Sequence, residues 1–205
     1  MARTGDRKRA DLGGFEAMYR GGAPPWDIGR PQAAFVALEK AGKIRGVVLD
    51  VGCGTGENAL YMASRGHESW GIDGAPTAIS AAKNKARDRG SRATFVHGSV
   101  LDLAALGRRF DTVIDSGLFH TLTDAHRIQF EQSLKSAMAV GGDYFMMCFS
   151  EHEVGDLGPR RVTKEEIRLA FARGWKVVSI EASRFEHFLG SGGAHAWLAH
   201  ITRVP

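Results

Sequence analysis

Short apolar runs alternate along the chain with segments whose apolar residues recur every three or four positions. The run Val47-Val48-Leu49-Asp50-Val51 is β-branched and breaks off at a glycine cluster. A strand buried on both faces has that continuous character, so the run predicts a central parallel strand. A helix over 58–65, stopped by Gly66, leads to a strand ending at Asp73. A helix over 76–89 and strands over 94–97 and 110–115 follow. Thr123 suits the N-cap of a helix over 124–139, with Gly141-Gly142 past its end. Residues 144–149 read as another buried strand. Thr163-Lys164-Glu165-Glu166 fits a capping box opening a helix to 172, closed by Gly174. Strands over 176–180 and 196–202 complete the set. Upstream, Pro31 suits the first turn of a helix to 41, and Phe15, Met18 and Tyr19 share one face of a small helix. The alternation, with no internal repeat, predicts a doubly wound α/β domain with an N-terminal cap.

A chain of 205 residues holds one domain with a proper core and is short for two. At 43% hydrophobic and 24% charged it is neither disordered nor fibrous. The net charge of +4 first points toward nucleic acid. Its location argues otherwise, because Arg3, Arg7, Lys8 and Arg9 against Asp6 place +3 in the first ten residues. Taking these from 27 basic and 23 acidic residues leaves a body within one charge of neutrality. Residues 1–14 therefore read as a flexible basic tail and 15–205 as a single domain, with 15–45 forming a lid and first helix. Two cysteines make no disulfide framework and fit a reducing, cytoplasmic setting. The N-terminus has no signal-peptide core, and runs such as YFMMCF are too short to span a membrane.

The decisive stretch is Asp50-Val51-Gly52-Cys53-Gly54-Thr55-Gly56, between a strand and a helix. Glycines let such a turn be sharp and let the backbone approach a ligand. Asp73, at the end of the next strand, can accept both hydroxyls of a ribose. A dinucleotide fingerprint would place its last small residue at position 57, where Glu57 stands. A glutamate at a helix start would also repel a pyrophosphate. The expected cofactor is an adenosine compound without phosphates rather than NAD.

The run VLDVGCGTGENALYMASRGHESWGID resembles the glycine-rich first motif and acidic second motif of class I S-adenosylmethionine-dependent methyltransferases. The resemblance covers the chain from about residue 15. It implies a Rossmann-like seven-stranded sheet in the order 3-2-1-4-5-7-6, with strand 7 antiparallel. It implies S-adenosylmethionine as cofactor and S-adenosylhomocysteine as product. Carried over by position, Asp50, Gly52, Cys53 and Gly54 would surround the methionine moiety, and Asp73 with Gly74 the ribose. Ser99 and Val100 would flank the adenine, although many members carry Asp where Ser99 stands. Asp115 and Ser116 would lie beneath the sulfonium and the acceptor.

The acceptor side points to a small molecule. Asp115-Ser116-Gly117-Leu118-Phe119-His120 lacks the Pro-Pro-Tyr-like turn of enzymes that methylate exocyclic base amines. No cysteine stands near that turn for a cytosine-C5 mechanism. The segment Ala23-Pro24-Pro25-Trp26-Asp27-Ile28-Gly29-Arg30-Pro31 is similar to the entrance motif of the thiopurine, thiol and halide methyltransferase group, and to bacterial enzymes acting on heterocycles. DSGLFHTL and FSEHEVGDLGPRRVT extend that resemblance. It implies methyl transfer to S, N or O of a small aromatic, heterocyclic or thiol acceptor, with Trp26 packed over the cofactor as part of a lid. Such a displacement needs mainly proximity and desolvation. A phenol near pKa 10 would also gain from a base, for which His120 is the candidate. Tyr19 is a candidate contact to the acceptor, Phe119 a pocket wall, and His152 a residue bordering the pocket. No metal site is expected. The alternative is an RNA or protein methyltransferase tethered by the basic tail.

Overall fold

The computed structural model describes residues 12–155, 158–189 and 192–205. Strand β1 (Val48–Val51) is buried along its whole length, as its unbroken apolar run requires. It pairs in parallel with β2 (Ser69–Asp73) on one side and β4 (Phe110–Ser116) on the other. Strand β3 (Thr94–His97) borders β2, and β5 (Met138–Phe149) continues the parallel set beyond β4. Strand β7 (Ala194–Arg203) then inserts antiparallel between β5 and the edge strand β6 (Trp175–Phe185). The order is β3-β2-β1-β4-β5-β7-β6, as the resemblance implied.

Successive side chains of β1 feed opposite layers. Leu49 and Val51 join Phe110, Phe130, Tyr144 and Phe171 on one face. Val48 joins Phe35, Ile114, Phe145 and Met147 on the other. Helices α3 (Glu57–Ser64) and α4 (Pro76–Asp88) cover the β1–β3 half, while α5 (Asp124–Ala137) and α6 (Lys164–Ala170) flank the later strands. The capping box at Thr163 and Glu166 is present with both reciprocal bonds.

Three boundaries differ from the sequence expectation. The α5 pattern stops at Ala137, because buried Met138 already pairs with Phe110 as the first residue of β5. Gly141-Gly142 therefore lies inside a strand, at a register irregularity between Phe110 and Thr112. Helix α2 (Ala33–Lys40) begins two residues after Pro31. Helix α1 (Leu12–Arg20) takes in residues 12–14 of the expected tail, whose remainder lies outside the described residues. No helix among the described residues is long and apolar enough to cross a membrane.

Candidate active site

The carboxyl ends of the central strands open on a cavity of about 780 Å³. It sits where the strand order reverses between β1 and β4, the usual ligand crevice of an open α/β sheet. Gly52, Asp73, Gly74, Ser99, Val100 and Ser116 line it, and Trp26 closes it from the N-terminal segment. Asp73 holds the glycine loop in place: one carboxylate oxygen accepts the Gly54 N–H and the other the Ala75 N–H, both at 2.8 Å. Burial lifts its pKa, against the lowering effect of those two amides. Each oxygen keeps a second lone pair, which suits a vicinal diol. The Ser99 hydroxyl accepts from the Leu101 amide at 3.2 Å.

Helix α1 brings Tyr19 into the lining of this cavity. Its hydroxyl accepts the Trp26 indole N–H at 3.0 Å and lies over Gly54, where a Cβ would come within 2.5 Å of it. Burial, and then the Asp73 charge, push the phenol pKa up, so Tyr19 stays a neutral donor. Glu16, one turn earlier, accepts both the backbone N–H and the hydroxyl of Thr77, at 3.1 and 2.7 Å. Helix α4 has no side-chain N-cap of its own, so α1 supplies that bond and is fastened over the cavity.

Asp50, Cys53, Gly54 and Asp115 are not among the residues that line the cavity, and Asp50 and Asp115 are fully buried. The Cys53 thiol donates to the Gly54 carbonyl at 3.6 Å, and burial keeps it protonated. Asp115 accepts from Leu118 N, Phe119 N and the Tyr144 hydroxyl at 2.7, 3.2 and 2.7 Å, which folds the chain after β4 into a tight turn. Burial still lifts it to about 7. Asp50 is fully buried, and among the described residues neither of its oxygens has a hydrogen-bond partner. Burial and then the Asp115 charge raise its pKa well above 3.8, with the nearby Ala59 amide acting in the opposite direction. Asp50 is thus the member of the pair held neutral. Because its folded pKa is raised, its stabilising effect is full below about pH 4 and declines as pH climbs toward the folded value. Asp50→Asn is expected to flatten that decline. Urea midpoints at pH 4.5 and 7.5 would measure it, and an undiminished difference would contradict the assignment.

His120 also lines the cavity. It sits in the 3₁₀ turn Phe119–Thr121 and is 4% exposed. Its Nδ1 accepts the backbone N–H of Phe149 at 2.9 Å, so Nε2 carries the proton. Burial, with Arg127 and Arg161 nearby, lowers its pKa to about 3. Gly117, at φ +89°, leaves Nε2 uncovered, since a Cβ there would stand 3.2 Å from it. Phe149 and Phe185 pack around the imidazole at centroid distances of 4.8 and 6.1 Å.

These two phenylalanines form the wall expected of Phe119, which is instead buried against Phe171. His152 stacks edge-on against Trp197, and its neighbour Glu153 lines the cavity in its place. Sequence spacing could not find Phe149 and Phe185, because they are brought together only by the pairing of β5, β7 and β6. Glu57 also differs from its expected role. Its carboxylate is paired with Lys85 of α4 and Arg89 just after it, at 2.8 Å from each, and Lys85 also donates to Thr55 of the glycine loop, so its charge is largely compensated. Among the described residues no group of three His, Cys, Asp or Glu side chains is arranged to hold a metal ion.

Residues 48–142 match a methyltransferase domain model. The chain is 39% identical over 180 residues to a 2-heptyl-1-hydroxyquinolin-4(1H)-one methyltransferase of Mycobacteroides abscessus, covering 83% of this chain and 79% of that protein. It is 26% identical over 172 residues to a probable thiol methyltransferase of Arabidopsis thaliana, covering 82% and 76%. Among solved structures, one from work on converting a disulfide bond into a thioacetal group during echinomycin biosynthesis superposes with a TM-score of 0.85. It is 39% identical, covering 95% of this chain and 93% of that one. A methyltransferase from Anabaena variabilis shares the fold at 18% identity and a TM-score of 0.78, covering 98% and 100%. With this sheet order and glycine loop in place, the chain belongs to the class I S-adenosylmethionine-dependent methyltransferases.

Proposed function

We propose that this enzyme methylates an oxygen or sulfur atom on a flat, largely apolar heteroaromatic acceptor whose nucleophile is already ionised when it binds. The observation that carries this reading is the state of His120. A base must offer a free lone pair, but its Nδ1 is taken by the Phe149 amide and its Nε2 bears a proton. What it presents to the cavity is a donor, suited to orienting an anion.

The bound cofactor supplies an electrophilic sulfonium methyl, which needs neither acid nor metal to react. Asp73 and the glycine loop hold the adenosine end. Tyr19 and Trp26 cover it, and Tyr19 retains a hydroxyl proton for a carboxylate. Phe149 and Phe185 exclude water beside His120, which strengthens the Nε2–H contact to an anionic nucleophile. Met18, Val154 and Leu189 line the mouth of the cavity and are exposed, so an apolar substituent on the acceptor would find apolar surface there. The hydroxyquinolone and thiol named for the two relatives are both acceptors of ionisable type. The alternative of an RNA or protein acceptor rests on the basic tail, which lies outside the described residues.

The test is transfer from labelled S-adenosylmethionine to hydroxylated heteroaromatics and aryl thiols with pKa values from about 5 to 10. The pH midpoint of kcat/KM is expected to move with the pKa of each acceptor. A midpoint common to all of them would mark a protein base and overturn the reading, as would no transfer to any.

A further inference from the structure

We infer that Arg127 is a positioning residue, holding the Phe119–His120 peptide from behind the cavity wall so that His120 Nε2–H faces the acceptor. This rests on the donor role proposed for His120 but concerns a residue that touches neither cofactor nor acceptor.

Arg127 stands in the first turns of α5 and is 7% exposed. Burying a guanidinium is expensive unless its donors are met, and here they are met sparsely. Nε donates to the Phe119 carbonyl at 3.3 Å, and the charge lies 4.3 Å over the Phe119 ring. One terminal nitrogen reaches Glu166 at 3.6 Å, and among the described residues the other has no partner. An arginine kept under such terms for packing alone would be better replaced by an apolar side chain. What it does hold is the peptide that carries His120.

The imidazole is thereby fixed from two directions. Phe149 N–H grips Nδ1 from β5, and Arg127 grips the preceding carbonyl from α5. The charged groups acting on His120 are Arg127 and, from the loop before α6, Arg161; both disfavour an imidazolium. Glu166 sets the position of Arg127 in turn. One of its oxygens accepts the Thr163 N–H at 2.8 Å in the capping box, while the other faces Arg127 and Arg160. Arg160 also bonds Asp124 at the start of α5. The chain of contacts ties the N-terminal ends of α5 and α6 to the turn that bears His120.

Imidazole ¹⁵N spectra of the protein loaded with S-adenosylhomocysteine test this directly. The wild type is expected to show His120 as a single Nε2–H tautomer that does not titrate between pH 5 and 9. In Arg127→Met the ring should slip from the Phe149 amide and the two tautomers should mix; burial, the larger cause of its low pKa, remains, so His120 should still not titrate between pH 5 and 9. Its kcat should fall by about 10- to 100-fold, with cofactor affinity unchanged. Arg127→Lys keeps the charge without the guanidinium fork, so it should leave His120 neutral while recovering only part of kcat. An unaltered His120 tautomer and kcat in folded Arg127→Met would overturn the inference. If Met at this position prevents folding, an Arg127→Lys variant with both kcat and tautomer as in the wild type would overturn it equally. Should His120→Ala leave kcat intact while Arg127→Met still shifts the His120 resonances, the donor role fails and the positioning contact stands.

Discussion

Replacing Asp73 with alanine is expected to weaken S-adenosylmethionine binding by about 10²- to 10³-fold in calorimetric titration. A carboxylate meeting two ribose hydroxyls makes two charge-assisted bonds, each worth about 1.5–3 kcal/mol. The loss extends beyond those bonds, because the same oxygens tie down Gly54 N–H and Ala75 N–H. Without them the glycine loop and the start of α4 lose a shared anchor. Asp73→Asn keeps the shape but exchanges one acceptor for a donor, so its binding should fall between the two. Equal affinity in all three proteins would remove Asp73 from the cofactor site.

The second large effect is expected at His120. Changing it to alanine should lower kcat/KM for an ionised acceptor by about 10- to 100-fold, by the same factor from pH 6 to 9. The uniform factor follows from its neutrality: with a pKa near 3, His120 does not change charge in that range. A general base would behave differently. Its removal would cost activity with weakly acidic acceptors and almost none with those ionised beforehand. Cofactor affinity should be unchanged, since the role proposed for His120 is toward the acceptor alone. A loss that disappears with acidic acceptors would restore the base that the residue types alone suggested.

His120 shows where sequence reading reaches its limit. Its position after β4 marked it as a candidate, and it does face the cavity. Its chemistry depends on the Phe149 amide, 29 residues away, which settles the tautomer. The same separation explains Phe119 and His152. Both stand beside residues that line the pocket, and a rotation of one position along a turn or loop sends them into the core or against Trp197. Tyr19 was legible as part of a lid, but its contact with Gly54 arises only when α1 is fastened to α4 through Glu16 and Thr77.

By itself the sequence determined the sheet, its order through the family resemblance, the glycine loop and the acidic residue that ends β2 beside it. These depend on local patterns: apolar period, glycine spacing, and an acidic residue at a strand end. The tertiary structure alone brought together the aromatic wall around His120. Phe149, Phe185 and His120 come from three segments joined by antiparallel pairing and one backbone hydrogen bond. The structure also turned Glu57 from a bare charge at a helix start into one paired with Lys85 and Arg89. The physical reason is that a local period fixes which way a strand or helix faces. A side chain's partners, and with them its protonation and role, are fixed by contacts between segments far apart in the chain.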